Sequence, residues 1–142
     1  MYDDILLPAD GSTGVDAAIP HANRLAEAFD ATVHVLYVAD TNLDSVMTGP
    51  EGAVDVLVEE GERVTDDVAD DVAAGVDVVT EVLQGDPYRT IVDYVDEFGI
   101  DLVVMATHGR EGLNRFLLGS VTERVVRTAD APVLTVRHGD EA

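Results

Sequence analysis

Five short apolar segments stand out in the pattern of hydrophobic and polar positions, and amphipathic stretches separate them. Each segment is rich in valine and leucine, and near-continuous apolar runs of this length are typical of strands that a parallel sheet buries on both faces. The segments predicted to form strands are 3–9, 32–38, 76–83, 101–106 and 132–137.

The amphipathic stretches between these strands predict helices with one apolar and one polar face. The predicted helices cover residues 13–29, 51–74, 87–98 and 120–128. Asp86, followed by proline, is typical of a helix start, and Gly99 is typical of a helix end. We expect Phe29 and Phe98 to be buried, and Pro20 to delay or kink the start of the first helix.

Strands and helices alternate along the whole chain, which predicts an α/β fold with right-handed crossovers. We expect an open, doubly wound, Rossmann-like sheet of five parallel strands in the order 3-2-1-4-5, with helices on both faces. The chain has 142 residues, 46 % of them hydrophobic, which is enough for the core of a single domain over residues 1–142.

The composition is strongly acidic, with 29 Asp and Glu residues against 8 basic residues and a net charge of −21. A field of this sign repels phosphate backbones and anionic lipids, so we expect neither a nucleic-acid partner nor a membrane partner. No apolar run reaches the length of a membrane span, and the first residues do not follow the pattern of a signal peptide. We therefore expect a cytoplasmic protein.

Cysteine and lysine are both absent, and all 8 basic residues are arginine. This excludes disulfides, thiolate metal sites and thiol nucleophiles, as well as the phosphate-binding lysine of a Walker loop and Schiff-base chemistry. A composition with many short carboxylates and no lysine resembles that of haloarchaeal cytosolic proteins. Such carboxylates hold water in molar salt, where charges are screened over about 3 Å. The alternative is an acidic protein from an ordinary cytosol.

Two predicted strand ends carry residues suited to binding a ligand. In an open parallel sheet, ligands bind beyond the carboxyl ends of the strands, where the strand order reverses. The first strand runs into Pro8-Ala9-Asp10, and the fourth runs into a loop that contains Gly109 and Gly119. Glycines let backbone N–H groups approach an anion, and the helix that follows adds N–H donors and the positive end of its dipole.

The uneven distribution of charge favours an anion at this loop. Residues 106–137 hold five arginines against three acidic residues, whereas the rest of the chain holds three arginines against 26 acidic residues. Arginines near the end of the last helix also suit its dipole, and glycine is common in connecting loops. The pattern alone therefore leaves a phosphate site and an ordinary loop both open.

The stretch MATHGREGLNRFLLGSVTERVVRTADAPVLTVR resembles the carboxyl-terminal signature of the universal stress protein family. The stretches ILLPADGS and VHVLYVAD are similar to the first two strands of that family, so the resemblance covers essentially the whole chain. In the ATP-binding branch the signature is Gly, two residues, Gly, nine residues, and then Gly with Ser or Thr. This chain matches it at Gly109, Gly119 and Ser120, but carries Ala106 at the first glycine position.

The resemblance implies a protein that binds ATP, with Mg²⁺ or Mn²⁺ bridging the phosphates. The residues that it implies in nucleotide binding are Pro8, Ala9, Asp10, Val38, Ala106, His108, Gly109, Arg110, Gly119, Ser120 and Val121. Asp10 is implied to hold the nucleoside, and Val38 to abut the adenine. The phosphates are implied to be held by Gly109 in the loop and by Gly119, Ser120 and Val121 at the start of the last helix.

Several of these positions have alternative roles. Asp10 could cap the first helix, and His108 could be an ordinary turn residue. Ser120 is expected to be the N-cap of the last helix whether or not it also binds phosphate. Ala106 would crowd the nucleotide if its φ were positive, and we expect a negative φ that tolerates alanine.

We interpret the chain as an ATP-binding stress-response or regulatory protein, not an enzyme, with at most slow ATP hydrolysis, because no general base is evident. The alternative is a nucleotide-free member of the same family that acts in structure or protein interaction. An α/β enzyme that handles a flavin or a nucleoside shares the fold but has no supporting residues. The last strand is expected at an unguarded sheet edge, and the resemblance likewise implies a homodimer that pairs through it. The sequence does not identify a protein partner.

Overall fold

The structure is a computed structural model that describes residues 1–41, 53–107 and 119–137. These residues form five strands and four helices that alternate along the chain. The strands are β1 (Asp4–Pro8), β2 (Thr32–Asp40), β3 (Val78–Gly85), β4 (Leu102–Ala106) and β5 (Val133–Val136). The helices are α1 (Val15–Phe29), α2 (Ala53–Asp71), α3 (Pro87–Phe98) and α4 (Ser120–Thr128). None of these helices combines the length and the apolar character needed to cross a bilayer.

The strands form one parallel sheet in the order β3-β2-β1-β4-β5, which confirms the expected α/β fold and strand order. The chain moves outward from β1 through β2 to β3, and then crosses back to β4 and β5. β1 is therefore the central strand, and its register aligns Ile5 with both Val33 and Leu102. β2 and β3 are thus added on one side of β1, and β4 and β5 on the other side, so the strand order reverses between β1 and β4.

The sheet separates two apolar cores, because successive side chains of a strand point to opposite faces. On one face, Ile5 and Leu7 lie in a cluster with Ala18 and other residues of α1 and α2. On the other face, Leu6 lies in a cluster with Val125 and other residues of α3 and α4. Ile5, Leu6 and Leu7 are all 0 % exposed, and burial on both faces explains their uninterrupted apolar run.

The ends of α3 are formed by the residues that the sequence indicates. The Asp86 side chain accepts a hydrogen bond from Arg89 N at 3.3 Å, and proline follows at the start of the helix. Gly99 ends the helix in the left-handed conformation, with φ 62° and ψ 42°. Capping and the glycine stop were thus predictable from local chemistry.

Pro20 does not delay the start of α1, so that expectation is wrong. The helix begins at Val15 and runs through the proline to Phe29. A proline inside a helix loses one hydrogen bond, here to the carbonyl of Asp16. The apolar face of α1 packs on the sheet on both sides of Pro20, and this tertiary packing outweighs the local cost.

Two phenylalanines are more exposed than the sequence predicts. Phe29 is 40 % exposed and Phe98 is 44 % exposed. Each is the last residue of its helix and therefore has helical neighbours on one side only. Instead of entering the core, Phe29 meets Tyr2 edge-on with 5.0 Å between ring centroids, and Phe98 packs on Tyr94 at 4.3 Å.

A polar network is buried between β1, β2 and α3. The His34 ring lies 2.8 Å from the Tyr94 hydroxyl through Nδ1 and 3.0 Å from Asp4 Oδ1 through Nε2. A neutral imidazole satisfies both contacts when Nε2–H donates to the carboxylate and the phenol donates to Nδ1. Burial, together with the nearby carboxylates of Glu81, Asp4 and Glu97, raises the pKa of Tyr94 to about 12.

We predict that the Tyr94 phenol makes stability depend on pH in the alkaline range. Its pKa rises from 10.0 to about 12 on folding, so its contribution is complete below pH 10 and is lost as the pH rises through 12. Denaturant unfolding should show the free energy of unfolding of the wild type falling over this interval. Tyr94→Phe should lose this decline, and should be less stable by about 1–2 kcal/mol at neutral pH because His34 Nδ1 loses its donor.

The control for this prediction is Tyr88→Phe, which leaves the network intact and should keep the alkaline decline. Identical alkaline unfolding curves for the wild type and Tyr94→Phe would contradict the assignment.

Gly61 lies inside α2, where the helix approaches the sheet closely. A Cβ atom at this position would lie 2.4 Å from Tyr37 Cδ1 and 2.9 Å from Val82 Cγ1. Tyr37 is 3 % exposed, so its ring cannot move aside without opening the core. Close packing between α2 and the sheet therefore requires glycine here.

Gly61→Ala should lower the free energy of unfolding by about 1–3 kcal/mol, because the methyl group overpacks a rigid contact. At an open helical position the same substitution stabilises by roughly 0.5–1 kcal/mol, so the sign of the change is informative. Chemical denaturation measures it. Glu59→Ala, on the exposed side of the same helix, is the control and should stay within about 0.5 kcal/mol of the wild type. A stabilised Gly61→Ala would show that the helix does not approach Tyr37 this closely.

Candidate functional site

The carboxyl ends of β1 and β4 lie side by side where the strand order reverses. Leu6 aligns with Val103 in the last pair of their register, and β1 then ends at Pro8 and β4 at Ala106. The chain therefore leaves the sheet twice at the same edge, from two neighbouring strands. This is the edge at which open parallel sheets bind ligands.

β2 extends this edge on one side. Pro8, the last residue of β1, aligns with Leu36, whereas β2 continues to Asp40. Ala9 N donates a hydrogen bond to the Leu36 carbonyl at 2.9 Å, which holds the end of β1 against β2. Val38 therefore lies past the end of β1 on the neighbouring strand, half-buried against the core that α3 and α4 cover.

Asp10 forms a turn after β1 and does not cap α1. Its Oδ1 accepts a hydrogen bond from Ser12 N at 2.9 Å, and Gly11 between them has a φ of 89°. The N-cap of α1 is Gly14, and no side chain caps that helix. The capping alternative for Asp10 is therefore wrong, and the turn holds its half-buried carboxylate at the carboxyl end of the central strand.

Ala106 is the last residue of β4, and its backbone is that of a strand. Asp30 is the one non-glycine residue with a positive φ within the described ranges, so Ala106 does not occupy the conformation that favours glycine. This confirms the expected negative φ. Alanine at the first position of the signature causes no backbone strain.

Hydrogen bonds fasten the start of α4 to the end of β4. Gly119 N donates to the Thr107 carbonyl at 2.8 Å, and Thr122 Oγ1 donates to the Ala106 carbonyl at 3.0 Å. Thr107 N donates in turn to the Val136 carbonyl of β5 at 2.9 Å. The helix start is thus fixed in position relative to both strands on this side of the sheet.

Thr107 and Thr122 are the residues of this edge that sequence analysis missed. Thr122 is 3 % exposed, although its side chain is polar. The available signal was its spacing: Thr122 lies three residues before Val125, on the stripe of α4 that faces the core. No sequence signal indicated Thr107, because the contacts described above are made by its backbone N–H and C=O groups, which every residue type other than proline has.

The first turn of α4 presents backbone donors at the same edge. The first intrahelical hydrogen bond is donated by Glu123 N to the Gly119 carbonyl at 2.9 Å, so the N–H groups of Ser120, Val121 and Thr122 precede the helical ladder. No described side chain caps this end. Gly119 is the N-cap and Ser120 is the exposed first residue of the helix, so the expectation that Ser120 is the N-cap is wrong.

The arginines of α4 contact neighbouring side chains. The Arg124 guanidinium carbon lies 5.2 Å from the centroid of the Tyr88 ring, which joins α4 to the start of α3. Arg127 Nη2 lies 3.0 Å from Glu123 Oε2 one turn earlier, on the exposed side of the helix. Arg124 therefore places a positive charge one turn after the donors of Ser120 and Val121.

Three candidate residues, His108, Gly109 and Arg110, lie outside the described residues. The structure brings the other eight candidate residues to the carboxyl edge of the sheet. They are Pro8, Ala9, Asp10, Val38, Ala106, Gly119, Ser120 and Val121. Within residues 1–41, 53–107 and 119–137, no three His, Asp or Glu side chains lie together in an arrangement that could hold a metal ion.

The sequence matches a known family over nearly its whole length. The model of the universal stress protein family covers residues 1–137. This chain belongs to the universal stress protein family. Universal stress protein MJ0531 of Methanocaldococcus jannaschii is 39 % identical to it over 142 residues, which cover 96 % of this chain and 83 % of that protein.

Solved structures resemble this universal stress protein over the same extent. The structure of the hypothetical protein MJ0577 of Methanocaldococcus jannaschii has a TM-score of 0.89 at 28 % identity and covers 99 % of both chains. A universal stress protein in complex with cAMP has a TM-score of 0.75 at 26 % identity and covers 97 % of this chain and 99 % of that one. The similarity therefore includes the strand ends that form the candidate site.

Proposed function

We propose that this universal stress protein binds ATP at the carboxyl ends of β1 and β4 and acts as a nucleotide-dependent stress-response or regulatory protein. The observation that carries the proposal is the start of α4, which no described side chain caps and which holds the N–H groups of Ser120 and Val121 beside the end of β4. Such donors and the positive end of the helix dipole favour phosphate oxygens. The Asp10 carboxylate lies at the adjacent strand end, where it can accept hydrogen bonds from a nucleoside.

The remaining candidate residues complete the proposed pocket. Val38 offers the adenine an apolar, half-buried surface on β2, next to Pro8 and Ala9. The proposed phosphate contacts add Gly109, with His108 and Arg110 beside it, to the donors of α4 and to Ala106 at the end of β4. Glycine at positions 109 and 119 leaves the backbone open to close approach by a phosphate.

A similar solved protein supports the class of ligand. The universal stress protein that resembles this chain at 26 % identity is in complex with cAMP, which is an adenine nucleotide. We propose that Mg²⁺ or Mn²⁺ is held mainly through the phosphates, as these hard cations bind readily to phosphate oxygens. The described side chains form no cluster that could hold the ion by themselves.

A nucleotide-free family member that acts through protein contacts is the second candidate. The observation that favours it is Ala106 in place of the first glycine of the signature. The extended backbone at Ala106 weakens that argument, because glycine is not needed there for conformational reasons. In either case we propose a binding protein rather than an enzyme, with at most slow ATP hydrolysis.

We further propose the setting in which the protein works. The whole chain would be a single domain in the cytoplasm of a halophilic archaeon, without nucleic-acid or membrane partners. The support is its composition, with 29 acidic residues, no lysine and a net charge of −21. Repulsion among so many carboxylates opposes the compact state unless salt screens it.

Gly119→Val should abolish ATP binding while leaving the fold intact. The φ of Gly119 is −63°, so valine is compatible with the backbone, but its branched side chain would cover the donors of the first turn. Titration calorimetry with ATP and Mg²⁺ at high salt measures the affinity, and circular dichroism checks the fold. Ala74→Val adds similar bulk at an exposed position between α2 and β3 and should bind like the wild type. Equal affinity of the wild type and Gly119→Val would refute the proposed site.

We also propose a homodimer in which the β5 strands of two copies pair antiparallel about a two-fold axis. β5 is at the edge of the sheet, and Leu134 is 36 % exposed. The carbonyls of Pro132 and Val136 accept hydrogen bonds from β4, so alternate residues turn their N–H and C=O groups toward β4. Val133 and Thr135 therefore turn theirs outward, where a second copy can pair with them.

Thr135→Pro should convert the dimer to a monomer, because it removes an outward N–H without removing a bond to β4. Light scattering at high salt gives the mass in solution. Thr80→Pro, which makes the same change at the opposite edge of the sheet, is the matched control and should remain a dimer. A dimeric Thr135→Pro would place the interface elsewhere.

A further inference from the structure

The outer edge of β3 has unpaired backbone groups along its whole described length. β3 pairs with β2 without interruption from Val78 to Gly85, and no described residue pairs with its other side. Val33 N donates to the Asp77 carbonyl at 2.9 Å, so the odd-numbered residues turn toward β2. Val78, Thr80 and the later even-numbered residues therefore turn their N–H and C=O groups outward.

This edge carries one charged side chain, Glu81, but lacks the other devices that usually protect a sheet edge from further pairing. The strand contains neither lysine nor proline, and its register with β2 shows no bulge. Val78 and Val79 are 37 % and 39 % exposed, so apolar surface is open on both faces of the strand. At eight residues, β3 is twice as long as β5, which has four.

A groove of about 410 Å³ runs between α2 and this edge. Its walls are Val58, Glu62 and Asp66 of α2, with Thr80 and Val82 of β3. Glu62 and Asp66 are exposed and lie one turn apart, so their carboxylates follow the direction of the helix beside the strand. Thr65 and Glu81 also line the groove, so a side chain that entered it from an added strand would meet polar as well as apolar walls, with the carboxylates of Glu62 and Asp66 beside it.

We propose that the β3 edge and this groove are a docking site for an extended, basic polypeptide segment, which adds to the sheet as a further, antiparallel strand. The outward N–H and C=O groups of β3 would bind the backbone of the segment. Side chains at alternate positions of the segment would enter the groove, and arginine or lysine there would pair with Glu62 and Asp66. The side chains between them would face Val79 on the other side of the sheet and are expected to be apolar.

Charge argues against a second copy of this chain at the same edge. Two β3 strands paired about a two-fold axis would bring two α2 helices together, and α2 carries eight acidic residues against one arginine. Like charges at such short range destabilise an interface. The unpaired backbone groups argue against a small polycation, because a polyamine has no peptide groups to pair with them.

The test uses labelled extended peptides and fluorescence anisotropy, at a salt concentration at which circular dichroism shows the full chain folded. A peptide that alternates arginine and valine should bind, and its affinity should fall as salt is raised. The same peptide with N-methyl groups on the arginines, whose N–H groups would face β3, should bind about tenfold more weakly or worse, because it keeps its charge but loses its donors. A peptide that alternates glutamate and valine should not bind.

Two pairs of variants locate the site. Glu62→Gln combined with Asp66→Asn should weaken binding about fivefold, whereas Glu59→Gln combined with Asp70→Asn, with the same change in net charge on the same helix, should change it less than twofold. Thr80→Pro should abolish binding, and Thr135→Pro at the opposite edge should not. ATP affinity should be unchanged in all four, so a failure here is separate from a failure of the nucleotide site.

The outcomes that overturn the proposal are equally definite. Equal binding of the N-methylated peptide would show that charge alone attracts the peptide. Equal effects of the two acidic pairs would place the contact outside the groove. A wild-type mass above that of Thr80→Pro, measured without peptide, would show that a second copy occupies the edge, and the absence of any binding would remove the site.

Discussion

Burial of β1 on both faces is the constraint on which the rest of the structure depends. Ile5, Leu6 and Leu7 are completely removed from solvent, so helices must cover both sides of the sheet at the centre. Right-handed crossovers place helices on both faces when the chain first adds strands on one side of β1 and then returns to add strands on the other side of β1. The reversal places the carboxyl ends of β1 and β4 next to each other at one edge of the sheet. The candidate site is therefore a consequence of how the core is covered.

The geometry of the site is maintained by backbone groups more than by the candidate side chains. The bonds from Gly119 N to the Thr107 carbonyl and from Thr122 Oγ1 to the Ala106 carbonyl tie α4 to β4. Among the described residues no side chain caps the first-turn N–H groups of α4, which lie in a chain whose net charge is −21. The backbone N–H dipoles at the start of α4 can attract an anion despite the negative net charge of the chain. They act at short range, whereas salt screens the repulsion from the more distant carboxylates.

Much of the fold could be predicted from the sequence because strand burial, helix caps and glycine stops are local in character. The apolar runs of β1 and β4, Asp86 before its helix and Gly99 after it all depend on nearby residues. The errors involve tertiary context: Pro20 is kept in α1 by packing, and Phe29 and Phe98 pack on the rings of Tyr2 and Tyr94 instead of entering the core. The candidate residues lie at strand ends that the structure brings to one edge of the sheet. Sequence analysis missed Thr122 and assigned the N-cap to Ser120, because the bond from Gly119 N to the Thr107 carbonyl fixes the start of α4.

The two edges of the sheet differ in the charge of the residues around them, and this difference affects which partner each edge strand can bind. The segment 106–137, which runs from the last residue of β4 through α4 and β5, holds five arginines against three acidic residues, while the rest of the chain carries nearly all of the negative charge. Two copies of so acidic a protein repel each other least where they approach through this segment, which is why the β5 edge suits self-association. At the β3 edge, α2 supplies carboxylates alongside the free backbone groups. Under the two proposals made above, similar outward hydrogen-bonding groups would select an identical partner at the β5 edge and a basic one at the β3 edge, because the electrostatic background differs.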